Sequence, residues 1–239
     1  MTEPADGLLI GGLTALSTAD YPGWLAAVVF CQGCQWRCDY CHNPHLLPRQ
    51  VQSSGRSISW HEITAFLERR RGLLDAVVFS GGEPTLHAGL PAAICEVKDM
   101  GYAVGLHTAG IHPRKLRNVL PLVDWVAMDI KAPFGDYARI TGVAGSGERA
   151  LESMLQIIAS GVAHEFRTTV HPDLLTRDAI FDIATSLQFH GARSYALQEF
   201  RAQGCSQGSL ALKAQSQHID AALAHAVGSR FETFELRRS

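Results

Sequence analysis

Short apolar segments rich in Val, Ile and Ala alternate along this chain with amphipathic ones, and that alternation leaves few folds open. Trp24–Phe30, Asp75–Ser80, Tyr102–Leu106, Asp124–Ile130, Glu165–Val170 and Ser194–Phe200 read as strands. Short, continuously apolar runs are the mark of strands covered on both faces. Helices are expected between them. Ser59 and Glu62 form a capping-box pattern before a helix to about Arg70, with Ile63, Phe66 and Leu67 on one face. Leu90–Met100 is closed by Gly101, and Pro113 opens a short helix to about Leu120. Glu148–Ser160 is closed by Gly161, and Thr176 caps a helix to about His190. A helix over Ala211–Ala226 is expected next, and Phe231–Leu236 reads as a last strand or an irregular tail. Such repetition builds a parallel sheet with helical crossovers. Six or seven units fall short of the eight of a closed barrel. The expected fold is therefore α/β, a partial, open β/α barrel of about six parallel strands. No composition break or internal repeat divides the 239 residues. One domain over 1–239 is expected, with a cysteine-rich loop at 31–43 and a C-terminal helix and tail over 210–239.

In parallel α/β sheets, ligands gather beyond the C-terminal ends of the strands. Cys31–Cys41, Gly81–Pro84, His107-Thr108, Asp129–Lys131, His171 and Gln198 all lie at or just past such an end. They come from six different strands, so they are expected to converge on one composite site.

Four of the six cysteines fall between Cys31 and Cys41. Within that run Cys34, Cys38 and Cys41 form Cys-x3-Cys-x2-Cys. Three thiolates can hold three irons of a [4Fe–4S] cluster, whereas full protein ligation takes four. The fourth iron is then open to a substrate. The competing reading adds Cys31 and makes a four-thiolate zinc site. Structural zinc usually ties two ligand pairs across a longer loop, and four thiolates packed this closely would staple little chain. Cys31 reads as a buried small hydrophobe and Cys95 as core. Cys205 lies on a late loop that could meet a partner or a redox donor. Gly81-Gly82-Glu83-Pro84 follows a strand; two glycines permit a tight turn and close approach to a ligand, and Glu83 could accept a hydrogen bond from an ammonium group. Taken alone, an ordinary turn before a helix explains it equally well.

The acidic N-terminus lacks the pattern of a signal peptide, and no apolar run approaches a membrane span. A cytoplasmic protein is expected, where clustered thiols stay reduced and read as ligands before disulfides. The net charge of −2 and the absence of a long basic run argue against nucleic-acid binding.

The cysteine triad with Tyr40 before its last member, followed by a strand and Gly-Gly-Glu-Pro, resembles the radical S-adenosylmethionine (SAM) superfamily. Ser17-Thr-Ala-Asp20-Tyr-Pro-Gly23, Cys41-His-Asn-Pro44, Gly72-Leu-Leu-Asp75, Met128-Asp-Ile-Lys-Ala-Pro133, Tyr137…Thr141-Gly142 and Phe166-Arg-Thr-Thr-Val170 carry it further. They resemble the anaerobic ribonucleoside-triphosphate reductase activating proteins, relatives of pyruvate formate-lyase activating enzymes, over roughly residues 8–205.

The resemblance implies that Cys34, Cys38 and Cys41 hold one [4Fe–4S] cluster whose open iron is chelated by SAM. It implies that Gly81, Gly82 and Glu83, with Pro84 closing the motif, hold the SAM ammonium, and that Tyr40 lies against the adenine. It implies reductive cleavage of SAM and formation of a glycyl radical on a partner, a class III ribonucleotide reductase. Sulfonium reduction needs the low end of the cluster potential range, so a flavodoxin or ferredoxin donor is implied. Asp129 and Lys131 match positions near the SAM carboxylate and a monovalent cation; a strand-end salt bridge is the plainer alternative. Family members often carry Asp-Thr-Asn-Gly where this chain has His107-Thr108-Ala109-Gly110, so one expected anionic ligand is missing. Thr108, Arg167, His171 and Gln198 are candidates for facing the cofactor, and a satisfied core polar role competes for the last three. Activation of another glycyl radical enzyme and action on a small molecule remain alternatives among enzymes. Outside enzymes, an iron–sulfur electron carrier or a zinc module remains. Cys31→Ala separates the classes, since only a four-thiolate site loses its metal with Cys31.

Overall fold

The structure is a computed structural model that describes residues 4–49, 57–205, 210 and 219–238. One eight-stranded sheet runs through it in chain order. Its strands are β1 (Ile10–Ser17), β2 (Ala26–Cys31), β3 (Ala76–Gly81), β4 (Ala103–Thr108), β5 (Trp125–Asp129), β6 (Ala163–Val170), β7 (Ser194–Glu199) and β8 (Thr233–Arg237). From β2 to β8 every pairing is parallel, and β1 lies antiparallel on β2. The α/β class and the partial, open barrel are as expected. Seven parallel strands replace the expected six because the segment near Phe231 is a true last strand.

β1 escaped the sequence reading. Gly11 and Gly12 interrupt its apolar pattern, and as an edge strand it is half-buried along most of its length. The sheet does not need it to be apolar on both faces, and so the usual signal of a buried parallel strand is missing.

The crossovers carry α1 (Trp60–Glu68), α2 (Leu90–Asp99), α3 (Pro113–Val119), α4 (Tyr137–Thr141), α5 (Ser146–Ser160), α6 (Arg177–Phe189) and α7 (Ala221–Gly228). The capping box forms as read: Glu62 N–H donates to Ser59 Oγ at 3.2 Å, and Ser59 N–H donates to Glu62 Oε2 at 2.9 Å. The last helix differs from expectation. It starts after Asp220, whose carboxylate accepts from Leu223 N–H at 2.7 Å, and residues 211–218 of the expected helix lie outside the described residues. Cys95, expected in the core, is on the exposed side of α2. Among the described residues no helix is long and apolar enough to cross a membrane.

The two faces of the sheet are built differently because successive strand residues point oppositely. Outward, Val29, Phe79, Leu106, Val126 and Met128 are fully buried with Ile63, Ile94, Leu116 and Ile157 of the helices. Each such side chain stabilises the fold by about 1.5–3 kcal/mol. Inward, small residues leave room around one large one: Ala26, Val28, Ala76, Val78 and Ala127 surround Trp125. Tyr21 fills this narrow interior, stacked on Trp125 at 5.1 Å. A Cβ at Gly105 would lie 3.1 Å from the Tyr21 ring and 3.0 Å from Val78. The Ser17–Gly23 segment thus packs Tyr21 into the barrel, and space remains toward the C-terminal ends of the strands.

Candidate active site

The cysteine loop leaves the end of β2 and lies directly on the end of β3. Gly82 N–H donates to Cys31 O and Glu83 N–H to Gly33 O, both at 2.9 Å. A Cβ on Gly81, which has φ 110°, would stand 2.5 Å from Cys31 O, and one on Gly82 would collide with Gly33 O. The two glycines are therefore needed for backbone contact with the cysteine loop. Further bonds fix the loop on both sides: Cys34 N–H to Leu47 O at 3.0 Å and Arg37 N–H to Thr141 O at 2.9 Å. Trp36 anchors it, fully buried and edge-on to Tyr137 at 5.8 Å. Cys205 Sγ sits 3.7 Å from Asp39 O, so the late loop packs on the cysteine loop from outside.

Cys34, Cys38 and Cys41 line a cavity of about 310 Å³ at the C-terminal ends of the strands. Facing them are Gly81 and Gly82 from β3, His107 and Thr108 from β4, Asp129 and Lys131 from β5, Arg167 from β6 and Gln198 from β7. Tyr40 also lines it, with Lys131 Nζ 5.5 Å from its ring centroid. Of the six expected strand ends, the His171 position does not reach the cavity. His171 is fully buried; its Nε2 lies 3.1 Å from Leu210 O and must donate there, while Nδ1 accepts from Asp173 N–H at 3.2 Å. With both nitrogens used, it is a satisfied core histidine, and Arg167 and Thr169 represent β6 in the cavity instead.

Glu83 and Pro84 also lie behind the wall, both fully or nearly fully buried. Glu83 Oε1 accepts from Thr85 N–H at 3.1 Å, Thr85 Oγ1 at 2.6 Å and Thr108 Oγ1 at 2.8 Å. Its Oε2 accepts from Ala109 N–H at 2.9 Å. Burial pushes the Glu83 carboxyl upward against those four donors. Its side chain thus ties the end of β3 to the end of β4, and of the Gly-Gly-Glu-Pro motif it is Gly81 and Gly82 that the cavity exposes.

The wall formed by β4–β6 is charged. Arg167 Nε lies 3.2 Å from Asp129 Oδ1, and Lys131 Nζ lies 3.5 Å from Oδ2. Burial alone would raise the Asp129 carboxyl, but the charges of Arg167 and Lys131 hold it below its usual value. Burial opposes the charge on Lys131, yet the neighbouring Tyr40, Cys38 and Asp129 hold its pKa well above the usual value. His107 is neutral: burial, then Arg167, pushes its pKa down to about 3. Its Nε2 lies 2.8 Å from Asp20 O and so carries the proton, leaving Nδ1 to accept from Ser80 Oγ at 3.2 Å. Asp20 and Trp36 line the cavity too. Asp20 belongs to the Ser17–Gly23 motif and Trp36 lies between Cys34 and Cys38, but only the folding of the Ser17–Gly23 segment into the barrel reveals that Asp20 faces the site.

Residues 28–182 match the profile of the Radical SAM superfamily. The chain belongs to that superfamily. Over 199 residues, 80% of each chain, it is 33% identical to a Methanocaldococcus jannaschii protein described as a glycyl-radical enzyme activating enzyme. It is 31% identical over 172 residues, 69% of each chain, to the pyruvate formate-lyase-activating enzyme of Clostridium pasteurianum. This radical SAM chain is thus an enzyme of the glycyl-radical activating group. Two solved folds agree. QueE from Escherichia coli aligns with a TM-score of 0.55 at 17% identity, covering 97% of this chain and 93% of that one. Streptococcus suis SuiB bound to S-adenosylmethionine aligns at 0.64 with 10% identity, covering 87% and 48%.

Membership implies a [4Fe–4S] cluster and SAM, and the three thiols that line the cavity fit the cluster. Burial, and then the Glu83 charge, raises Cys34 to about 12, and burial also raises Cys38. Such thiols become thiolates only with a cation to stabilise them, as iron does. Trp36 Nε1–H is buried without an acceptor among the described residues, in a residue that lines the cavity along with the three cysteines. A cluster sulfur offers that acceptor. Cys31 is fully buried and off the cavity wall. The expected monovalent cation fits poorly: His107 brings no charge, and both oxygens of Asp129 already face fixed cations.

Proposed function

We propose that this radical SAM enzyme generates a glycyl radical on a partner protein, and that the partner is an anaerobic (class III) ribonucleoside-triphosphate reductase. The observation that carries the reading is the cavity itself, where three thiols and the Gly81-Gly82 backbone face one another across a space shared with a cationic wall. Relatedness to activating enzymes supports the activity. The motif set of the sequence supports the reductase as target.

Cys34, Cys38 and Cys41 would hold three irons, and SAM would chelate the fourth. When bound, the cluster and SAM would together supply one-electron reductive cleavage of SAM and, from it, the hydrogen-abstracting radical chemistry needed at the target glycine. The chain's own residues do the positioning. Gly81 and Gly82, which line the cavity, would hold the SAM ammonium through their backbone. Lys131 and Arg167 set a positive potential for its carboxylate, with Asp129 holding them in place. Tyr40, pinned beneath Lys131, supplies an aromatic wall for the adenine. The electron comes from a low-potential flavodoxin or ferredoxin, within the cytoplasm.

The test is anaerobic. The protein is reconstituted with iron and sulfide, reduced with dithionite and given SAM, and 5′-deoxyadenosine is measured. Mixing with a class III reductase should then yield a glycyl-radical electron paramagnetic resonance doublet. SAM cleavage with a doublet only on pyruvate formate-lyase would overturn the choice of target, and zinc in place of iron would sink the whole reading.

A further inference from the structure

The cysteine loop has an outer face as well as the inner one that lines the cavity. Residues 40–61 contain no Asp or Glu, and neither do residues 100–123. The two segments meet outside the barrel. Arg49 Cγ lies 3.4 Å from where a Cβ on Gly33 would stand, and Leu86 Cδ2 lies 2.9 Å from the same point. Lys115 Nζ donates to Leu86 O at 2.7 Å. Gly33 immediately precedes Cys34, so both cations flank the backbone that carries the first cluster thiol. Arg149 lies in the first turn of α5, which packs against the α3 helix that carries Lys115. Burial, followed by the charges of Lys115, Arg149 and Arg49, pushes His112 down to about 4. His87, next to Leu86, is lowered by burial and by Arg49 and Lys115. Arg49, Lys115 and Arg149 are all exposed, and among the described residues none has a carboxylate partner. The neighbouring pair on the same helices, Arg117 with Glu152 at 3.7 Å, shows that acids do balance cations further along α3 and α5. None of the three cations lines the cavity. A chain of net charge −2 therefore concentrates positive charge behind its cluster thiols.

We propose that the rim of Arg49, Lys115 and Arg149 is the docking surface for the electron donor, a small carrier protein with an acidic face such as a flavodoxin or ferredoxin. The proposal rests on the radical SAM reading above. During turnover the cavity mouth holds SAM and the target glycine segment, so the electron needs another approach. The outer face offers it, because Arg49 packs on Gly33, the residue before the first cluster thiol, and Lys115 is bonded to Leu86, which packs on the same glycine. A cationic patch of this kind speeds encounter with an acidic protein and loses its effect as salt rises.

The experiment compares two reductants on one variant. Arg49→Glu/Arg149→Glu changes two exposed side chains away from the cavity. SAM cleavage driven by dithionite, which needs no docking, should stay within about twofold of the unmodified enzyme, a margin set by the small effect of most surface substitutions. Cleavage driven by reduced flavodoxin should lose at least about tenfold in kcat/KM at low salt, with the salt dependence flattened. An unchanged flavodoxin rate overturns the proposal. So does a loss seen only in glycyl-radical yield under dithionite, which would give the rim to the target enzyme. If the charge reversal lowers both cleavage rates together, Arg49→Gln/Arg149→Gln is judged by the same two rates. Absence of SAM cleavage by the unmodified enzyme with dithionite would instead strike the radical SAM activity itself.

Discussion

The two walls of the cavity are held by different means. The cysteine wall is main chain against main chain: Gly81 and Gly82 lie so close to Cys31 and Gly33 that no Cβ fits. The wall of β4–β6 is side chain against side chain, with Asp129 between Arg167 and Lys131 and His107 between Ser80 and Asp20. The first arrangement is rigid and intolerant. The second can be altered one charge at a time and still fold.

Gly82→Ala should give the largest effect, because its Cβ would meet backbone at Gly33, which cannot swing away. Overpacking typically costs about 1–3 kcal/mol, and here the shift falls on the loop that carries Cys34. The expected outcome is loss of most bound iron and sulfide on reconstitution, with SAM cleavage reduced at least a hundredfold. Gly135→Ala, where nothing lies within 4 Å of the added atom, is the control and should retain its cluster. Equal cluster content in the two variants would remove the distinction between the walls.

Asp129→Asn comes next. It removes the carboxylate between Arg167 and Lys131, each about nine-tenths buried, and leaves two cations facing one another. Breaking a buried pair costs about 3–5 kcal/mol, and the partial exposure of Asp129 into the cavity reduces this to about 1–3 kcal/mol. Urea unfolding of the metal-free protein reads it directly. Because the folded carboxyl is held below its unfolded value, its contribution is full above that unfolded value and fades as pH falls through the folded one. The stability gap between wild type and Asp129→Asn should therefore be constant at neutral pH and shrink only in acid, below about pH 4.

The walls also differ in how far the amino-acid sequence discloses them. The cysteine wall is legible because its requirements are local: three thiols at fixed spacing, and glycines where a backbone must approach. The β2–β7 strands are legible for a similar reason, each being a continuous apolar run. The charged wall is legible only in part: His107, Asp129, Lys131 and Arg167 stand at strand ends as expected and line the cavity, but which neighbours they pair with is not written locally. His171 and Arg167 stand on or beside the same strand, and only register and the position of Leu210 decide that Arg167 faces the cavity while His171 turns into the core. Glu83 is hidden for a related reason, since Thr85, Thr108 and Ala109 converge on it only after β3 and β4 pair. β1 and the role of Asp20 depend on long-range contact as well, and their local pattern carries no apolar or spacing signal.

His107 provides a smaller test of the charged wall. Burial and Arg167 hold its pKa near 3, so the folded state resists a proton that the unfolded chain takes up near 6.5. Folding stability from this group is intact above that unfolded value and is lost as pH falls below it, by up to about 1.4 kcal/mol per pH unit until the folded value is reached. His107→Gln keeps a polar side chain that cannot titrate in this range. Unfolding of the metal-free protein between pH 7 and pH 5 should thus slope less in the variant. Parallel slopes would mean that His107 is charged in the fold, with Asp20 as its partner.

The smallest expected effect is the response to monovalent cations. Asp129 is engaged by Arg167 and Lys131, and neutral His107 uses Nε2 as a donor to Asp20 O. The wall therefore supplies its own positive charge where the family resemblance implies a bound ion. Replacing potassium and sodium by tetramethylammonium at constant ionic strength should change SAM affinity and cleavage by less than about twofold, since only screening, which is held fixed, would otherwise respond. His107→Asp returns an anionic oxygen to the site beside Asp129. In that variant SAM affinity should become dependent on potassium or sodium. A wild-type enzyme that loses SAM binding in tetramethylammonium would show that Asp20 and Asp129 hold an ion despite the histidine, and that Arg167 and Lys131 do not replace it.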